Sequence, residues 1–155
     1  MISYQLQTLL IAMSPLVEFR GSIPIALAGY HLTPASAFVF SILGSIISAI
    51  LIILFLEKIS VFLSSHFRFF DKFFTWLFER TRKNNEKKFE KFKELAVFLM
   101  VAIPSPLPLT GYWTASLCAF LFGVSPKKSL PLIFLGTLIG GAIVLFSTMG
   151  IINLI

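Results

Sequence analysis

The sequence predicts an all-α, multi-pass membrane protein built from two similar units, and three observations predict it. Of 155 residues, 57% are hydrophobic and only 13% are charged. The mean hydropathy is +0.91, and a soluble domain carries about a quarter charged residues. The apolar residues fall into four blocks. The second half of the chain also repeats the order of features in the first.

Block one, Tyr4 to Tyr30, is broken by Pro15, Gly21 and Pro24. A ten-residue helix reaches only about 15 Å, half a bilayer. Two such pieces around a Pro/Gly-rich centre predict a re-entrant hairpin, tolerated at membrane depth only where protein or a wet cavity surrounds it. Block two, Ala35 to Leu56, has no charge and no proline. At about 1.5 Å per residue it is long enough to cross a hydrocarbon core about 30 Å thick. A connector, 57–94, follows. Its Val61 to Phe78 stretch is Phe-rich but contains His66, Arg68, Asp71 and Lys72, which predicts a helix lying in the interface. Arg80 to Glu94 predicts a charged, solvated helix. Block three, Leu95 to Val124, holds Pro104, Pro106, Pro108 and Gly111 and predicts a second re-entrant hairpin. Block four, Ser129 to Ile152, predicts a second spanning helix. The whole chain, 1–155, is expected to be one integral membrane domain: unit one 1–56, connector 57–94, unit two 95–155.

The repeat is carried by matching features at an offset of about 90 residues. Ser14-Pro15 matches Ser105-Pro106, Gly21 matches Gly111, and Thr33-Pro34 matches Ser125-Pro126. Gly44 and Ser48 match Gly136 and Gly140, a small-xxx-small stripe expected to let the two spanning helices pack closely. A hairpin adds no crossing and a spanning helix adds one, so the two units are expected to be inverted. Ten of the thirteen Lys and Arg residues lie between Lys58 and Lys93, and the loop at Lys127-Lys128 is basic, whereas 31–34 has neither. The positive-inside rule then predicts a cytoplasmic connector and external termini in a plasma (inner) membrane. Inverted units whose broken helices meet near mid-membrane are a plan shared by many secondary transporters.

Glu18 and Arg20 are the only full charges in the first 56 residues. A charge at mid-bilayer costs about 3 kcal/mol on insertion scales. One reading makes them an ion pair pinning a hairpin tip. The other makes them functional: Arg20 holding an anionic headgroup through its planar fork, Glu18 exchanging a proton. The opposing tip has no charge, but Ser105, Thr110 and Thr114 offer hydroxyls and Tyr112 and Trp113 amphipathic rings. A half-helix starting near Gly111 would turn its amides toward an anion. The expected substrate or proton pathway is therefore Glu18, Arg20, Gly21, Pro24, Ser105, Pro106, Pro108, Thr110, Gly111, Trp113 and Thr114.

The lone Cys118 forms no disulfide within the chain and reads as a small buried apolar residue. His31 and His66 have no ligand partners at metal spacing. With no nucleophile–base set, phosphate loop or dinucleotide signature, the reading assigns no catalytic residue, no metal and no cofactor, and expects no enzyme. The clustered basic charge suits anionic headgroups at the connector rather than nucleic acid. Ala26-Leu27-Ala28 resembles a signal-cleavage site, but Glu18 and Arg20 interrupt the apolar run and cleavage is not expected.

Glu18-Phe19-Arg20-Gly21-Ser22-Ile23-Pro24 resembles the Glu-x-Arg-Gly-small-aliphatic-Pro motif of the small multidrug export family. Pro106-Leu107-Pro108-Leu109-Thr110-Gly111-Tyr112-Trp113-Thr114 resembles that family's Pro-x-Pro-x-Thr-Gly-x-Trp-Thr stretch, with Leu109 where a glycine is usual. The resemblance covers nearly the whole chain. It implies a distant branch of the DedA superfamily, opposed re-entrant hairpins, and movement of lipids or amphipathic molecules. The expected function is a transporter or flippase of an amphipathic, anionic small molecule or lipid, proton-coupled through Glu18. The alternative is a non-transporting membrane adaptor or lipid-organising protein. Two spanning helices make a thin wall around a cavity, so a homodimer or larger homo-oligomer is expected.

Overall fold

Every regular element among the described residues is helical. The computed structural model describes residues 3–66, 72, 75, 76, 79, 87–104 and 111–154. Helix α1 (Tyr4–Met13) starts where the Ser3 hydroxyl accepts the Leu6 amide at 3.3 Å, satisfying one of the donors that a helix start leaves open. It stops at Ser14, whose backbone is extended, because the residue before a proline is pushed out of the α region. Helix α2 (Glu18–Pro24) follows the break. Pro24 is its last residue, but the helical backbone continues past it. The backbone widens directly after this residue, which has no amide hydrogen to give, into a π-helical turn, Ile25–Gly29. The Tyr30 ring stacks on Tyr4 with centroids 4.9 Å apart, so this first helical pair begins and ends at one level.

Helix α3 (Pro34–His66) opens with proline in its first position, and the Thr33 hydroxyl accepts the Ser36 amide at 3.3 Å. It runs well past Leu56. Glu57 and Lys58 end the apolar block, but they are good helix formers and do not end the helix. Val61 to His66, expected to begin a separate interfacial helix, is therefore the last part of α3. Most of the remainder of that expected helix lies outside the described residues. Helix α4 (Lys87–Ala102) carries the charged segment into the third apolar block without a break. Helix α5 (Tyr112–Leu121) is the second short apolar helix. Helix α6 (Pro126–Leu154) again starts at a proline, with the Lys128 and Ser129 amides bonded to the Ser125 carbonyl at 2.9 Å. The Lys93 ammonium donates to the Phe122 carbonyl at 3.3 Å, and Lys128 pairs with Glu94 at 3.0 Å. The middle of α4, the end of α5 and the start of α6 thus lie together.

Pro34–Phe62 within α3 and the whole of α6 are long and apolar enough to cross a membrane. Their packing suits that setting. Ser41, Ser45, Ser48 and Ala49 of α3 are buried, while Ile47, Leu51, Leu54 and Phe55 are exposed. Gly136, Thr137 and Gly140 of α6 face inward, and Leu135, Ile139, Ile143 and Phe146 outward. Water would favour the reverse. In lipid, whose tails are as apolar as leucine, close approach at small residues brings helices together.

The two long helices run antiparallel. Gly141 of α6 lies against Phe38 and Ile42 of α3, while residues 53–61 of α3 share a cavity wall with Pro126 and Ser129. The small residues expected to join these helices serve a different contact. Gly44 meets the Leu9 carbonyl and Ala12 of α1, and the Ser48 hydroxyl donates to the Met13 carbonyl at 3.2 Å. Gly136 and Gly140 meet Phe98, Val101 and Ala102 of α4. The α3 stripe thus admits the end of α1, and the α6 stripe the end of α4, with Phe19 of α2 also against Gly140.

Candidate functional site: charged caps across a helix break

Breaking a helix leaves open carbonyls on one side and open amides on the other. In apolar surroundings each such group costs several kcal/mol if nothing satisfies it. The second pair breaks between α4 and α5, and the first pair finishes both ends. Arg20 Nη2 donates to the Ile103 carbonyl at 3.2 Å and, at 3.4 Å, to that of Met100. A cation thereby sits at the negative end of α4. The Glu18 carboxylate packs on Gly111 at the positive end of α5, and the Trp113 amide approaches its Oε1 at 3.5 Å. Two residues on α2 thus answer two helix dipoles of opposite sense.

The geometry at Glu18 is costly. The residue is 6% exposed and has a φ of +51°, a region few side chains other than glycine occupy. Strained backbone of this kind persists only where the surroundings hold it, and it clusters at functional sites. Gly111 has a φ of +157°, and a Cβ there would strike the Glu18 carboxylate oxygens. Only glycine fits both the backbone and the carboxylate.

The second pair caps the first in return. The fully buried Tyr112 hydroxyl donates to the Ala12 carbonyl at 2.8 Å and accepts from Trp113 Nε1 at 2.9 Å. Ala12 and Ile103, two of the capped carbonyls, each stand two residues before a Ser-Pro pair. Beside this centre α3 presents a column of hydroxyls. Ser22 donates to Ser41 at 2.7 Å, and the buried Ser45 hydroxyl has no hydrogen-bond partner among the described residues.

The structure therefore brings Glu18, Arg20, Gly111 and Trp113 together. Gly21 stays within α2, its amide bonded to the Val17 carbonyl at 2.9 Å. Pro24 shapes the π-helical turn, and Thr114 is half-buried in the first turn of α5. Ser105, Pro106, Pro108 and Thr110 lie outside the described residues. The α5 amides, read from the sequence as open to an anion, are met by Glu18. Tyr112 was absent from the expected pathway. Its signal was available: a tyrosine in an apolar block needs a partner for its hydroxyl. Among the described residues no three His, Cys, Asp or Glu side chains come together as metal ligands.

The family model described as "putative small multi-drug export protein" matches residues 18–143, beginning at Glu18 itself. No curated protein and no solved structure matches the chain.

Proposed function

The chain belongs to the small multi-drug export protein family, and from that membership we propose that it moves an amphipathic small molecule or lipid across the membrane by rearrangement at the Glu18–Arg20 caps. The observation that carries this reading is that two charges from one helical pair hold both sides of the break in the other. Releasing them would free α4 and α5 to part, and re-forming them would close the break again. Membrane-protein helices retain ionisable residues chiefly along substrate or proton pathways. In this reading the two short pairs are re-entrant hairpins and the units are inverted. The connector is cytoplasmic, the termini are external, and the protein works as a homo-oligomer in the plasma membrane. A proton delivered to Glu18 would remove the charge that faces the α5 dipole. The groups that favoured an anionic substrate are engaged at helix ends, so the reading assigns no charge preference at this centre.

The test is flux of a fluorescent amphipathic dye in liposomes carrying the purified protein. Parent protein is expected to move the dye in response to a pH gradient. Glu18→Gln should remain folded, since an amide fills the same space and still accepts from Trp113, but lose the response to pH. Full flux with unchanged pH dependence in that variant would refute the proton role. No flux by well-folded parent protein across a range of dyes would favour a membrane adaptor instead.

A further inference from the structure

A second feature lies away from the capped break. The end of α3, the end of α5 and the start of α6 line a half-open cavity of about 300 Å³, near the lower end of the range for small-molecule sites. Ile53, Glu57 and Val61 are spaced four apart on α3 and share one helical face toward it. Phe120 and Val124 complete a largely apolar wall. Among the described residues Glu57, itself exposed, is the one charged residue that lines it. It forms no ion pair among the described residues, and its neighbour Lys58, one position on, is turned to another face of the helix. The nearby Lys128 is paired with Glu94, and Lys93 donates to the Phe122 carbonyl. Neither lines the cavity. The hydroxyls of Ser60 and Ser129, which could have served an anion, donate instead to the Glu57 and Pro126 carbonyls at 2.9 and 3.4 Å.

An apolar chamber with one acidic residue and few available donors is complementary to one ligand chemistry. We infer that this cavity binds a small amphipathic organic cation, its apolar body between α3 and α5 and its charged head toward Glu57. Because binding is read at equilibrium, without flux, its failure and a failure of the export reading are separate results.

The experiment uses the full chain in nanodiscs of zwitterionic lipid, titrated calorimetrically with benzyltrimethylammonium and, in parallel, benzenesulfonate. Empty nanodiscs supply the baseline. The expected result is saturable one-to-one binding of the cation and none of the anion. Glu57→Gln should weaken cation binding about tenfold or more. Val61→Trp, at an exposed lining position, should fill the cavity and abolish binding while the protein stays monodisperse. Cation uptake no greater than that of empty nanodiscs, unchanged affinity in Glu57→Gln or Val61→Trp, or equal binding of the anion would each overturn the inference. The last outcome would point to a headgroup phosphate as occupant.

Discussion

At Gly111 there is room for a hydrogen atom and nothing larger. Gly111→Ala would set a methyl group against the Glu18 carboxylate and strain a positive φ. The expected cost is about 2 kcal/mol or more, seen as a clear drop in the thermal unfolding midpoint in detergent. The double variant Glu18→Ala/Gly111→Ala should recover part of the loss, since the two positions touch and their effects should not add. Tyr112→Phe removes the donor to Ala12 and the acceptor of Trp113. Each buried group left without a partner costs about 1–3 kcal/mol, so this variant should also melt early. A midpoint equal to the parent's would show that neither bond matters. At this scale the sequence was half legible. Charge in an apolar run marked Glu18 and Arg20, because such charges are rare in any membrane segment. Nothing local could tell that their partners are carbonyls and amides some 80–95 positions further along, since a backbone group carries no sequence signature.

Helices α1 and α4 end inside the protein, and the long helices make way for them at glycine. Gly44→Leu would drive a side chain into the Leu9 carbonyl and Ala12. Overpacking of this kind costs about 1–3 kcal/mol. The expected readout is lower monodisperse yield and a lower melting midpoint, whereas Gly150→Leu, which meets nothing within 4 Å, should behave like the parent. Equal losses in the two variants would show that the stripe has no packing role. Helix starts were legible at Thr33-Pro34 and Ser125-Pro126, because a hydroxyl followed by proline satisfies and pre-sets a first turn. The end of α3 was not. Hydropathy reports where lipid-compatible residues stop, and the backbone continued through Glu57 and Lys58 regardless. The partner of the glycine stripes was also illegible, since a stripe shows that something approaches closely but not which helix does so.

On the two long helices Gly, Ser and Thr line the inner face and most of the Leu, Ile and Phe side chains face outward, which suits lipid rather than water. The antiparallel run of α3 and α6 places the loop at 31–33 and the loop at 122–125 at opposite ends. In a Cys118→Ala background, His31→Cys should label with an impermeant maleimide from outside, and Lys127→Cys only after the membrane is opened. Labelling of both from one face would sink the proposed topology. Composition alone made the all-helical, membrane-grade character legible, because charge is expensive in lipid at almost any position. The reciprocal capping was not legible, since it depends on where each broken helix ends in space.

That reciprocity also bears on synthesis. The ribosome makes Ala12 and Glu18 long before Gly111, Tyr112 and Trp113 exist. Until then the first unit waits in the bilayer with an uncapped helix end and a carboxylate without its seat. Cut within the connector, the two fragments should fail alone and recover when made together, each supplying the missing termini of the other.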